Sequence, residues 1–222
     1  MSLAIPLTSK LVMIGDSITD CGRAQPVGEA GIDGSGLGTG YVALVDSLLR
    51  SVYPRARVRV VNMGTSGHTV RDLAGRWQTD VLDLEPDWLS IMIGINDVWR
   101  QFDSPLRPEQ QVGLEEYAAT LRELAAGTRP EVKGLVMMTP YFIEPLRVDP
   151  MRARMDEYGA VVKRVAAEVG ALLVDTQAAF DALLIHQHPM TIAWDRVHPA
   201  PAGHMVLARA FLNAVGFEWS GE

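Results

Sequence analysis

With 222 residues, 48% of them hydrophobic and 21% charged, the chain has the size to fold around one core, and no apolar run approaches the roughly 20 residues of a membrane-spanning helix. Its 20 Lys and Arg against 27 Asp and Glu give a net charge of -7, a field that repels phosphate backbones and argues against a nucleic-acid partner. A lone cysteine, Cys21, excludes an internal disulfide, and MSLAIPLTSK lacks the basic and then apolar pattern of a secretion leader, so a cytoplasmic protein without a membrane partner is expected.

The first apolar run, 11–14 (LVMI), reads as a buried strand that stops at Gly15, Asp16, Ser17, Ile18 and Thr19. The glycine-rich stretch 28–40 lacks the GK[ST] of a phosphate-binding loop and reads as a flexible insertion before a helix over 41–52. A second strand over 58–63 runs into NMGTSGHT, with helical spacing from 70 to 84. A third strand over 88–93 leads into GINDVW, and a helix over 114–126 precedes a fourth strand over 134–138. Then come a helix over 151–169, a fifth strand over 171–174, and helices over 178–185 and 202–215. Continuous apolar strands alternating with helices predict a single domain, an α/β protein whose parallel sheet of five strands is covered on both faces. No repeat or interdomain linker interrupts it.

Ligands of open parallel sheets bind beyond the carboxyl ends of the strands, which directs attention to the polar blocks found there. Ser17 follows the first strand. A serine hydroxyl attacks an acyl carbon only with a base in reach and a third group orienting that base, and DRVH supplies both as His198 and Asp195. A tetrahedral intermediate needs donors for its oxyanion; the Ser17 and Gly64 backbone N–H groups and the Asn96 amide are suitable in kind. Each residue alone has a plainer explanation: a turn for Asp16 and Ser17, a turn glycine at 64, a helix cap at Asn96, and a helix start at His198.

Taken together, Ser17 in GDSIT, Gly64 in NMGTSG, Asn96 in GINDVW and Asp195 with His198 in DRVHP resemble the SGNH, or GDSL, hydrolase family over roughly residues 11–212. Single blocks are weak signals, whereas all four in order are specific. The stretches GTGYVALV, IMIGINDVWRQ, DTQAAF and WDRVHPAPAGHMVLARAFL are similar to the bacterial acetylxylan esterase subgroup. The resemblance implies a flavodoxin-like three-layer α/β/α sandwich and a Ser17, His198 and Asp195 triad. It also implies an oxyanion hole of Ser17, Gly64 and Asn96, and no metal or other cofactor. Thr19 stands where an α/β-hydrolase elbow has its second glycine, which disfavours that pattern.

The expected reaction is hydrolysis of short acyl esters, acetyl groups on xylo-oligosaccharides above all, through an acyl-enzyme. Asp16, Tyr41, Trp99, Tyr141 and Trp194 lie in or beside the strand-end loops and are expected to meet the substrate, since aromatic faces suit sugar rings. The rival readings are a broader esterase, lysophospholipase or thioesterase, and a catalytically silent carbohydrate-binding module. His186 and His188 lack a third ligand for a metal, Cys21 reads as a packed small residue, and His68 is a residue near the second block that could touch substrate or cap a helix. Phe211, Phe217 and Trp219 suit either packing of the last helix or a homo-oligomer contact.

Overall fold

Leu11, Val12, Met13 and Ile14 have no solvent exposure in β1 (Lys10–Gly15), as a pleated strand requires when both faces of its sheet are covered. The computed structural model describes residues 3–219. After β1 come the short helix α1 (Ser17–Asp20), the two-residue strand β2 (Gly28–Glu29) and α2 (Tyr41–Val52). Strand β3 (Arg59–Gly64) is followed by α3 (Val70–Gly75) and α4 (Trp77–Asp80). Strand β4 (Trp88–Met92) leads to α5 (Ile95–Asp103) and α6 (Leu114–Thr128). The rest comprises β5 (Gly134–Met138), α7 (Pro150–Val169), β6 (Leu172–Val174), α8 (Thr176–Leu184), α9 (Pro189–Ile192) and α10 (Pro201–Ala214).

The sheet has six strands in the order β2-β3-β1-β4-β5-β6, all neighbours parallel except β2 with β3. Apart from β2 this is the flavodoxin-like order. Helices α2, α8 and α10 pack together over one face, and α3, α5, α6 and α7 over the other. Strand β1 lies between β3 and β4, so the chain reverses its direction across the sheet there. The loops after β1, β3 and β4 consequently open a crevice beyond the carboxyl ends of these strands. Among the described residues, no helix is long and apolar enough to cross a membrane.

Three sequence expectations change. The stretch 28–40 is not wholly loop: Gly28 and Glu29 pair antiparallel with Asn62 and Val61, and the Glu29 carboxylate receives both Arg59 Nε (3.2 Å) and Nη2 (2.5 Å). Two residues are too few to show a period. Strand β6 is half-exposed at Leu172 and Leu173 because it forms an edge. The helix predicted over 70–84 breaks after Gly75: Gly weakens a helix interior, and Arg76 turns inward to donate to the carbonyls of Met63 (2.7 Å) and Gly15 (2.8 Å). That guanidinium ties the ends of β3 and β1 together.

Candidate active site

Asp16 caps α1, its carboxylate accepting the Ile18 N–H at 3.0 Å. Ser17 is therefore the first residue of the helix, where a backbone N–H has no intrahelical acceptor. Its Oγ stands 2.8 Å from His198 Nε2, although the two residues are 181 apart in sequence. His198 Nδ1 lies 2.7 Å from Asp195 Oδ2, and Asp195 Oδ1 accepts the N–H groups of Val197 (2.9 Å) and His198 (2.8 Å). Burial opposes the charge on Asp195, but the His198 ring and these two backbone donors hold its carboxyl below the usual range. An ionised Asp195 takes the Nδ1 proton as a hydrogen bond, leaving the Nε2 lone pair facing the serine hydroxyl. Such a relay can draw the proton from a serine as it attacks.

The end of β3 departs from the sequence reading. Gly64 is buried, its N–H donates to Asn62 Oδ1 (2.9 Å), and its carbonyl accepts from Arg23 Nε (2.6 Å). A Cβ there would stand 2.1 Å from Asp20 N. Gly64 is thus a close-packing glycine beneath α1, and its N–H is not available to an oxyanion. Asn62, fully buried, also donates to Thr19 (2.7 Å) and Leu37 (2.9 Å) carbonyls, fixing α1 and the glycine-rich segment at once.

Three residues on, Gly67 has φ +82, a left-handed conformation suited to glycine, and lies exposed. Its N–H makes no hydrogen bond among the described residues. The residues on either side are anchored to the site. Ser66 donates its N–H and hydroxyl to Asp20 Oδ2, and the His68 carbonyl accepts Asn96 Nδ2 at 2.9 Å. Asn96, almost fully buried at the start of α5, keeps a second amide N–H beyond the one given to His68. Asp97 beside it accepts the Val70 N–H at 3.0 Å, linking the start of α5 to that of α3. Gly67, Asn62 and Arg76 were missed by sequence reasoning; a second glycine in NMGTSGHT was the visible signal for the first of them.

The expected substrate contacts divide. Asp16, Tyr41 and Tyr141 are buried, so none can touch a ligand: Asp16 caps α1, Tyr41 pairs with Thr19 Oγ1 (3.1 Å), and Tyr141 donates to the Val197 carbonyl (3.1 Å), bracing the His198 loop. Trp99 remains half-exposed with its ring 5.8 Å from that of His198. Trp194 is 81% exposed, next in sequence to Asp195. His188 caps α9 through Nδ1, accepting the Met190 N–H. His68 is half-buried, burial pushing its pKa down. Cys21 sits 3.5 Å from His204 Nε2, and burial raises its thiol to about 11.

Burial raises Asp16 and Asp97 from the ordinary 3.8 to about 7 each. Between those pH values the native chain holds a proton that the unfolded chain has released. Their contribution to stability is therefore full below about pH 4 and is lost as pH rises through 7, by at most about 1.4 kcal/mol per pH unit for each group. His204, whose pKa burial lowers to about 4, acts with the opposite sign in this window. The informative measurement is thus a difference: the urea stability of Asp97→Asn relative to the parent should rise from pH 4 to pH 7. A constant difference would mean that Asp97 titrates normally.

Residues 13–206 match the model of the GDSL-like lipase/acylhydrolase family. The chain belongs to this family. It is a carboxylic ester hydrolase, and a curated relative, the acetylxylan esterase of Geobacillus stearothermophilus, is 60% identical over 210 residues, 95% of each chain. The crystal structure of that esterase, Axe2, superposes with a TM-score of 0.95 at 58% identity, covering 97% of this chain and 98% of the other. LAE5, an alpha/beta hydrolase enzyme from the metagenome of Lake Arreo, Spain, also gives 0.95, at 56% identity over 97% and 99% of the chains. The likeness to these structures establishes the SGNH hydrolase fold. Solved Axe2 variants described as catalytic mutants replace a serine, a histidine and an aspartate.

Proposed function

We propose that this hydrolase removes acetyl groups from xylo-oligosaccharides, with Ser17 as nucleophile, His198 as general base and acid, and Asp195 as the group that orients and stabilises the imidazole. The observation carrying this reading is the continuous Ser17, His198 and Asp195 hydrogen-bond relay (2.8 and 2.7 Å) in the crevice beside β1. Similarity to an acetylxylan esterase supplies the acyl group and the sugar class. As Ser17 Oγ attacks the acetyl carbon, its proton passes to His198 Nε2. The carbonyl electrons move to oxygen, where the N–H groups of Ser17, Gly67 and the Asn96 amide receive the charge. His198 then protonates the departing sugar oxygen. Water, deprotonated by the same nitrogen, releases acetate from the serine ester.

A panel of esters tests the substrate class. Acetylated xylobiose and 4-nitrophenyl acetate should be hydrolysed with kcat/KM about a hundredfold or more above that for octanoyl esters, each added methylene being excluded by a short acyl site. Preference for long chains would favour the lysophospholipase or broad-esterase reading, and sugar binding without turnover would favour a silent binding module.

A further inference from the structure

Beside Gly67 lies a second concavity of about 280 Å³, bordered by Gly67, Thr69, Asp72, Arg100, Glu109 and Gln110. It is at the small end of ligand pockets, about 300 Å³, space for one sugar ring rather than a chain. Both its sides connect to the residues already described. Gly67 is held between Ser66 on Asp20 and His68 on Asn96. Arg100 lies over the Trp99 ring at 5.6 Å, and the other neighbour of that ring is His198 at 5.8 Å. Its outer wall is fixed by Arg71, which grips both Glu116 carboxylate oxygens (2.7 and 2.9 Å) and the carbonyls of Glu109 (3.0 Å) and Gln111 (3.3 Å).

The cations around the cleft are already paired. Arg71 is on Glu116, Arg100 on Asp103, and Asp72 Oδ2 accepts the Thr69 N–H and hydroxyl. The Asp72 and Glu109 carboxylates have no paired cation among the described residues, so the wall is net negative and disfavours an anionic ligand. What remains is an alternation of donors and acceptors: Asp72 Oδ1, the Glu109 carboxylate, the outer Arg100 N–H groups and the Gln110 amide. Among the described residues Asp72 Oδ1 and the Gln110 side chain have no hydrogen-bond partner. Acceptors interleaved with donors match a ring of hydroxyls better than a carboxylate or an alkyl chain.

We infer that this cleft is a subsite for the sugar next to the deacetylated one, an uncharged pyranose of the leaving group. The inference rests on the proposed sugar-esterase reading and gives its substrate a direction. His198 must protonate the departing sugar oxygen, so the sugar leaves on the imidazole side. From there the half-exposed Trp99 face leads to Arg100 and the cleft. Binding energy gathered on a remote ring can be used to hold the ester in its reactive position.

The test is the gain on adding one sugar. In the parent enzyme, kcat/KM should rise about tenfold from acetylated xylose to acetylated xylobiose, the scale of a few well-placed contacts. Gln110→Trp, which fills the cleft from an exposed position, should abolish that gain, and Gln110→Ala should reduce it. Hydrolysis of 4-nitrophenyl acetate and the unfolding midpoint identify any general damage in the same samples. No gain in the parent, a gain that survives Gln110→Trp, or a gain lost instead through Trp194→Ala would overturn the subsite. Turnover of 4-nitrophenyl acetate with no turnover of either acetylated sugar would overturn the sugar-esterase reading itself.

Discussion

Ser17→Ala should lower kcat for any acetyl ester by about a thousandfold or more while the fold persists, because removing a triad nucleophile leaves only the contribution of binding and the oxyanion donors. The fold should persist because Ser17 Oγ makes its one bond to an imidazole that is itself 44% exposed; a neutral bond of that kind contributes about 1 kcal/mol. The small cap of α1 by Asp16 and the Asn62 bonds to its carbonyl end do not involve the hydroxyl. Turnover kinetics with matched circular dichroism decide the matter. A folded Ser17→Ala protein with near-parent turnover would remove Ser17 from the mechanism and with it the roles of His198 and Asp195.

Asn96→Ala should cost about a hundred- to a thousandfold in kcat with a much smaller change in KM, the pattern of a donor whose bond strengthens as charge develops on the carbonyl oxygen. The same amide donates to the His68 carbonyl at 2.9 Å, so the alanine variant also loosens the Gly67 loop, and a lower unfolding midpoint is part of the expectation. Asn96→Asp separates the two effects. A carboxylate offers no donor to either group and places negative charge against the developing oxyanion, so its kcat should fall below that of Asn96→Ala. If both variants raise KM and spare kcat, Asn96 contacts the ground state and the oxyanion is stabilised elsewhere.

Much of this protein was legible in its sequence because local periodicity survives translation into structure. The strands at 11–14, 58–63, 88–93 and 134–138 stand within a residue or so of their expected limits, and α2 occupies the predicted span. Apolar runs bounded by glycine or acid leave few alternatives for a strand buried on both faces. The contact of Asp195 with His198 was legible because spacing within a block is also local: Asp195 reaches His198 inside one turn.

Other features depended on contacts between segments far apart in the chain. Gly64 and Gly67 are equivalent in NMGTSGHT; only the packing of Asp20 above β3, and the bond from Gly64 to Asn62, show which N–H is occupied and which is left open. Tyr41 and Tyr141 sit beside strand-end loops in sequence, yet they point into the core, because the direction of such a side chain is set by the layers it meets. The 2.8 Å approach of Ser17 to His198 spans 181 residues. Sequence alone determined which polar groups stand at the strand ends, whereas the tertiary structure decided which of those groups meet, since strand order and loop packing place them and neither has a period to read.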